Sequence, residues 1–228
     1  MNGLRIFITS MGIVSPFGEG IEKNLSTLRE AVPALTPLQL FPSAHVPLPV
    51  GEIPFPIPHG NLPRTHVLAM MAAEEALKEA GGPPDAVVVG TTTGGMTATE
   101  EYLKQGEKDP VLYRHHAAGS VAEAIAARFG CRGPVLTVST ACSSGTAALK
   151  IALELLRSGK AMRVLAGGAD ALCRLTYYGF HSLQLVDPGG AHPFDSGRKG
   201  MSVGEGAAMF LLTAAAVPPD GAVAELLG

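Results

Sequence analysis

The sequence is poor in cysteine, in clustered positive charge and in long apolar runs. It holds only three cysteines among 228 residues. This odd and small number argues against a disulfide scaffold and is typical of a reducing compartment, so we expect a cytoplasmic protein. The net charge is −3 and the basic residues are scattered, which predicts no binding of nucleic acid.

Membrane insertion is not expected either. The longest apolar run, residues 207–217, is interrupted by Thr213 and is too short to cross a bilayer. The first residues reach Gly12 and Pro16 too soon for a signal peptide. The sequence is nevertheless 46% hydrophobic, with 28 glycines, against a usual glycine share of about 7%. These numbers favour a well-buried globular protein with many tight turns, and the length suggests one domain or two small ones.

Strand-like and helix-like segments alternate along the chain. The apolar patterns predict strands at residues 4–9, 86–90, 134–139, 163–167 and 207–213, and helices at 22–29, 64–80, 119–129 and 143–158. Such alternation is typical of an α/β protein with a mainly parallel sheet and crossover helices. Residues 33–63 hold nine of the 18 prolines, which predicts an extended surface loop whose apolar residues pack onto the body.

The predicted helix at 143–158 is apolar except for a narrow stripe formed by Lys150, Glu154 and Arg157. A helix that is apolar over most of its surface is usually buried. We therefore expect this helix to be mostly buried, with a protein layer on both sides of it.

Cys142 stands at the junction between the strand at 134–139 and the helix at 143–158, with small residues on both sides. A helix amino terminus presents unpaired N–H groups and a partial positive charge. That position favours the thiolate, which is the better nucleophile. A buried structural cysteine is the alternative, because that is the common state of a lone cysteine. The local chemistry alone leaves both interpretations open.

Several motifs together resemble those of the elongating, decarboxylating β-ketoacyl-acyl-carrier-protein synthases. The segment around the cysteine is Arg132-Gly133-Pro134 followed by Ser139-Thr140-Ala141-Cys142-Ser143-Ser144-Gly145. About 50 residues later come His192-Pro193-Phe194-Asp195-Ser196-Gly197-Arg198-Lys199-Gly200 and Gly204-Glu205-Gly206-Ala207. Residues 5–18, 51–53 and 90–95 are similar to further segments of the family.

The resemblance implies a function and a fold. Cys142 would accept an acyl group as a thioester for decarboxylative Claisen condensation in fatty acid or polyketide synthesis, and Phe180 would lie near the acyl pocket. The substrates would be acyl carrier protein or acyl-coenzyme A, with no cofactor and no metal. The fold would be thiolase-like. Residues 1–228 would form the amino-terminal half, a five-stranded mixed sheet with helices on both faces and an antiparallel last strand.

The family also uses two histidines, one of them in an H-G-T motif, and both belong to the carboxy-terminal half. None of the seven histidines is followed by Gly-Thr; they are His45, His59, His66, His115, His116, His181 and His192. His115 and His116 are adjacent, so their side chains diverge and cannot chelate a metal as an i, i+4 helical pair would. We expect structural roles for Cys131 and Cys173, a surface turn at His192, and turn- or strand-holding roles for Asp195, Arg198 and Glu205.

Residues 222–228 look like the strand with which the family enters its second half. Either the gene is truncated or a separate polypeptide supplies that half, so we expect a homo-oligomer or a complementary synthase half as partner. Two other functions remain open. One is a non-catalytic partner resembling a chain-length factor, although such relatives lack the cysteine. The other is a thiolase-like acyltransferase that only moves acyl groups.

Overall fold

A computed structural model describes residues 4–43, 46–58 and 60–228, so His45 and His59 lie outside the described residues. The strands are β1 Arg5–Ser15, β2 Gly18–Glu19, β3 Thr36–Pro37, β4 Pro49–Val50, β5 Ala86–Gly90, β6 Val135–Val138, β7 Arg163–Asp170, β8 Gly206–Ala215 and β9 Ala224–Glu225. The helices are α1 Ile21–Glu30, α2 Arg64–Leu77, α3 Met96–Gln105, α4 Gly119–Phe129, α5 Ser144–Arg157 and α6 Arg174–Ser182, and a 3₁₀ helix covers Pro110–His115.

Five long strands form the centre of a mixed sheet in the order β1-β8-β7-β5-β6. β5 pairs in parallel with β6 and β7, whereas β8 runs antiparallel to both β7 and β1. The predicted five-stranded mixed sheet with an antiparallel last strand is therefore confirmed. The short strands β2 and β9 both pair with β1 and extend the described sheet to seven strands. Of residues 222–228, only Ala224–Glu225 is strand.

Helices cover both faces of the sheet, as predicted. The alternation of side chains along β5 divides its valines between two cores. Val87 and Val89 face a cluster built with α2 and α4, whereas Val88 faces a cluster built with α5. The proline-rich segment packs onto the body through its apolar residues. Leu38, Phe41 and Val50 form a third cluster with Tyr177 of α6, among others.

Three expectations need correction. β1 does not end before Gly12 but continues to Ser15, because Gly12 lets α2 approach: a Cβ there would lie 2.1 Å from the carbonyl oxygen of Ala72. α2 ends at Leu77, three residues before the predicted end. α5 is not mostly buried: apart from its charged stripe, the apolar residues Leu149, Ile151 and Leu155 are only half-buried, because the described chain covers only one side of this helix.

Candidate active site

Cys142 lies in the abrupt turn that joins β6 to α5, and its side chain is exposed. Ala141, just before it, adopts a left-handed conformation with φ of 54°. Two serine hydroxyls close the turn. Ser144 donates to the carbonyl of Ala141 at 2.6 Å and accepts the N–H of Thr140 at 2.9 Å, and Ser143 donates to the carbonyl of Thr140 at 2.9 Å. These bonds fix Cys142 immediately before the first turn of α5.

The elbow lies against the carboxyl ends of two parallel strands because three glycines permit close contact. A Cβ on Gly90, the last residue of β5, would lie 2.3 Å from the carbonyl carbon and oxygen of Ser144. A Cβ on Gly168 of β7 would lie 3.2 Å from the Cα of Gly145. Cys142 therefore sits at the edge where open α/β sheets usually bind ligands. The unpaired N–H groups and dipole of the first turn of α5 favour negative charge there.

Cys142 opens into a cleft of about 410 Å³. The carboxyl ends of β5 and β7, the helix α6, residues 201–204 and Gly206 form its walls. Phe180 of α6 lines this cleft together with Cys142, so the structure brings the two predicted site residues together. Asp170 is the only charged side chain that lines the cleft in the described part of the chain.

Sequence reasoning missed Asp170, the last residue of β7. Its carboxylate accepts the hydroxyl of Thr91 at 2.8 Å, the N–H of Thr92 at 2.9 Å, and both the N–H and the hydroxyl of Thr93 at 2.7 Å. These bonds fold the Thr-Thr-Thr-Gly-Gly segment into a tight turn beside the elbow. The one sequence signal was a carboxylate at the end of an apolar strand.

The helix α6, which carries Phe180, was also missed. Its amino terminus has no capping side chain of its own. Glu100 of α3 instead accepts the N–H groups of Arg174 at 2.9 Å and Leu175 at 2.7 Å. The Arg174 guanidinium pairs with Glu101 at 2.5 Å. A helix about 70 residues away in sequence therefore anchors the wall of the cleft.

The charged residues of the later motifs hold the backbone, as expected. Glu205 is buried and accepts two hydrogen bonds from Arg64, at 2.8 and 2.6 Å, and the N–H groups of Ile53 and Leu172. Asp195 accepts the N–H of Gly197 at 2.6 Å, and Arg198 donates to the Asp195 carbonyl at 2.9 Å. His192 is exposed in the same turn.

The paired histidines diverge as predicted. His116 shares a hydrogen bond of 3.0 Å with Thr99, whereas the ring of His115 lies 5.3 Å from that of His66. Within residues 4–43, 46–58 and 60–228, no group of three or more His, Cys, Asp or Glu residues is arranged to hold a metal. Of the other cysteines, Cys131 is half-buried and Cys173 is buried. Burial raises the pKa of the Cys173 thiol. No helix in the described residues is long and apolar enough to span a membrane.

Residues 57–216 match the family described as "Beta-ketoacyl synthase, N-terminal domain". The chain therefore belongs to the β-ketoacyl synthase family, as its motifs predicted.

Two curated relatives cover 91% of this chain. The tetracenomycin polyketide synthase ketoacyl synthase alpha subunit of Streptomyces glaucescens is 32% identical over 243 residues. Nodulation protein E of Rhizobium meliloti (strain 1021) is 30% identical over 230 residues. The chain spans 57% of the length of each of these relatives.

Solved structures agree on the thiolase-like fold. The ishigamide ketosynthase/chain length factor structure superposes with a TM-score of 0.82 at 30% identity, covering 92% of this chain and 58% of that chain. A β-ketoacyl synthase from Burkholderia phymatum STM815 gives a TM-score of 0.79 at 26% identity, covering 92% of this chain and 59% of that one.

Proposed function

We propose that residues 1–228 are the amino-terminal, cysteine-bearing half of a β-ketoacyl synthase, in which Cys142 accepts an acyl group from acyl carrier protein or acyl-coenzyme A. The observation that carries the proposal is the exposed Cys142 on the elbow between β6 and α5, facing a cleft that Phe180 also lines. A cytoplasmic location follows the low cysteine number.

The acyl transfer needs a thiolate and an oxyanion site. The Cys142 sulfur attacks the carbonyl carbon of the incoming thioester, and backbone N–H groups of the elbow stabilise the oxyanion. When the intermediate collapses, the bond to the carrier sulfur breaks, and the proton lost by Cys142 ends on the carrier thiol. Phe180 would contact the acyl chain on the wall of the cleft.

Condensation would follow when a malonyl group bound to carrier protein loses CO₂ and its carbanion attacks the carbonyl carbon of the Cys142 thioester. The new carbon–carbon bond forms, the bond to the Cys142 sulfur breaks, Cys142 leaves as a thiolate, and the β-ketoacyl product stays on the carrier protein. In the family, two histidines of the carboxy-terminal half stabilise the charge that develops. No described histidine lines the cleft of Cys142. We therefore propose that a complementary half supplies them, as a second chain or as further sequence, and that the complete synthase acts in fatty acid or polyketide synthesis.

A non-catalytic partner role is the second candidate, because the structural relatives include a ketosynthase/chain length factor pair. A partner of this kind does not need an exposed thiol at the end of a cleft. The retained Cys142 therefore favours the acyl-accepting role. A transferase without condensation shares this first step and would differ only in the step after it.

We predict that incubation with acyl-coenzyme A or acyl-carrier protein places a thioester on Cys142. Peptide mass spectrometry locates the adduct, and circular dichroism first establishes that the protein is folded. Cys131 and Cys173 serve as internal controls, and Cys142→Ala should remove the adduct. A folded protein with no adduct, or with equal labelling of all three cysteines, would contradict the proposal.

We also predict that the 228 residues alone form no β-ketoacyl product from malonyl-carrier protein, because none of the histidines that the structure describes lines the cleft of Cys142. Product formation is followed by mass spectrometry of the carrier-bound acyl group. Condensation by the purified chain at a rate abolished by Cys142→Ala would show that no second half is required.

A further inference from the structure

The Asp170 carboxylate is used almost entirely to hold one turn. Asp170 ends β7, and the neighbouring β5 ends at Gly90, so the carboxylate lies over the residues that follow β5. One of its oxygens accepts from the Thr91 and Thr93 hydroxyls and from the Thr93 N–H, and both oxygens lie within 3.0 Å of the Thr92 nitrogen. Two more contacts extend the network. Gly94 N–H donates to Thr91 at 3.2 Å, and Thr65 shares a contact of 3.4 Å with Thr93.

The Thr92 hydroxyl does not bind Asp170 but points towards the elbow. It donates to the carbonyl of Ala141 at 3.4 Å, a weak contact that is longer than the roughly 2.5–3.0 Å usual for an O–H···O hydrogen bond. Ala141 is the left-handed residue before Cys142, and its carbonyl also accepts the Ser144 hydroxyl and the Ser144 N–H. The carbonyl that orients the elbow is therefore held from two sides, by α5 and by the turn that Asp170 folds.

We propose that Asp170 is a positioning residue for Cys142. Through the turn at residues 91–94 and the Thr92 hydroxyl, it keeps the left-handed Ala141 in place and the thiol against the first turn of α5. The proposal rests on the proposed function only in that Cys142 is the reactive thiol. Asp170 itself transfers no proton and touches no reacting atom.

Because Asp170 is charged, the direction in which Asp170→Asn shifts thiolate formation at Cys142 distinguishes a positioning role from an electrostatic one. A carboxylate in the same cleft disfavours a thiolate by Coulomb repulsion. If Asp170 acted through its charge alone, Asp170→Asn would make the thiolate easier to form. If Asp170 positions the thiol, the same substitution weakens the bonds that hold the turn, because a neutral amide oxygen replaces a carboxylate oxygen and an NH₂ group faces the Thr92 N–H. The weakened turn lets the sulfur move away from the helix amino terminus. The thiolate then becomes harder to form.

The experiment measures the rate of iodoacetamide alkylation at Cys142 from pH 6 to 10, peptide by peptide, in the full chain. We expect Asp170→Asn to raise the pH midpoint by about half a unit, the size of a helix-terminus effect on one charge. Thr92→Val should raise the midpoint in the same direction, because it removes the hydroxyl that reaches Ala141. Thr92→Ser should restore it. In the Thr92→Val background, Asp170→Asn should raise the midpoint less than it does in the natural protein, because the two residues act through the same hydrogen bonds.

Cys131 is the control in every sample. A lower midpoint for Asp170→Asn would assign Asp170 an electrostatic role and overturn the proposal. Equal changes at Cys131 and Cys142 would show a general loosening of the fold and would overturn it too, as would a Thr92→Val protein with an unchanged midpoint. Alkylation needs no acyl substrate. If Cys142 failed to accept an acyl group, the proposed function would be refuted, but the alkylation midpoints would still test whether Asp170 positions the thiol.

Discussion

At the scale of single residues, His66 is a buried imidazole that the proposed chemistry does not use. It is fully buried in α2 and shares a hydrogen bond of 2.8 Å with the Ser120 hydroxyl. That hydroxyl has one proton and lies 2.6 Å from the Ala117 carbonyl, so His66 Nε2 acts as the donor to Ser120. Nδ1 has no partner among the described residues. Burial, with a smaller contribution from His115, lowers the pKa of His66 to about 4.

This pKa predicts an acid-sensitive fold. The unfolded chain binds a proton on His66 below its ordinary value of 6.5, whereas the folded chain does so only near pH 4. The stability that the neutral ring contributes is therefore complete above pH 6.5 and is lost as the pH falls from 6.5 to 4. The loss should be on the order of 3 kcal/mol, since the pKa falls from 6.5 to about 4 and one pKa unit corresponds to about 1.4 kcal/mol.

Urea unfolding at pH 7 and pH 4.5 measures this loss. His66→Gln keeps an N–H donor near Ser120 but does not titrate, so its free energy of unfolding should fall less between the two pH values. His192→Gln, at an exposed position, is the matched control and should behave like the natural protein. An equal fall for His66→Gln and the natural protein would contradict the assignment.

Single-residue prediction from the sequence reached furthest where the signal was local. The elbow position of Cys142 could be predicted because its strand, turn and helix are contiguous in sequence, whereas its acyl-accepting role rests on the family motifs and stays a prediction. Asp170 could not, because its hydrogen-bond partners lie 77–79 residues away and are brought together only by the pairing of β5 with β7. The sequence therefore indicated the turn Thr91-Thr92-Thr93-Gly94-Gly95 but not the carboxylate that holds it.

At the scale of elements, α6 depends on a cap from another helix. Glu100 accepts the first two N–H groups of α6, and its side chain is only 13% exposed. Glu100→Gln should loosen α6 and lower the free energy of unfolding by about 1–2 kcal/mol, because a charge-assisted cap is replaced by a weaker neutral one. Because α6 carries Phe180, the wall of the cleft should loosen with it.

Hydrogen exchange of the amides in residues 174–182, together with urea unfolding, checks the role of Glu100. The matched control is Glu101→Gln, which removes the half-buried ion pair with Arg174 but leaves the N–H groups of α6 capped. It should have less effect, because an ion pair that is partly open to solvent is screened and contributes little. Similar exchange in the two variants would argue against the capping role.

The same dependence explains which elements the sequence could predict. β5 and α4 were predicted at their observed limits, because an uninterrupted apolar run and a glycine-terminated apolar pattern are local signals. α6 contains Thr176, Tyr177, Tyr178 and Gly179, all of low helix propensity, and its cap comes from α3. The stability of α6 therefore comes from tertiary contacts, which no local sequence pattern indicates.

At the scale of the whole molecule, the described chain leaves large apolar side chains exposed. Leu175 is 58% exposed, Leu183 66% and Phe194 101%. Leu175 and Leu183 line an apolar groove with Phe180, which also lines the cleft of Cys142. β6 forms one edge of the sheet, and Leu136 within it is 39% exposed. The resemblance implied that a second half covers part of this chain. Which apolar side chains are left exposed without it depends on tertiary packing, which the sequence pattern does not reveal.

We therefore predict that the purified chain does not remain a monomer of 23.5 kDa at micromolar concentration. Contiguous apolar patches of a few hundred Å² are normally buried in interfaces, and an exposed sheet edge invites pairing with another strand. Sedimentation velocity should show a dimer or larger species, or a concentration-dependent loss of soluble protein.

Leu183→Lys should weaken this association, because it places a charge in the groove beside the cleft. Val217→Lys is the control, since Val217 is 70% exposed but lies outside the residues that line the groove and the cleft. A monomer that unfolds cooperatively and needs no partner would refute the argument that this chain is an incomplete half. Equal weakening by both variants would show that association follows net charge, and would assign no role to the surface around Cys142.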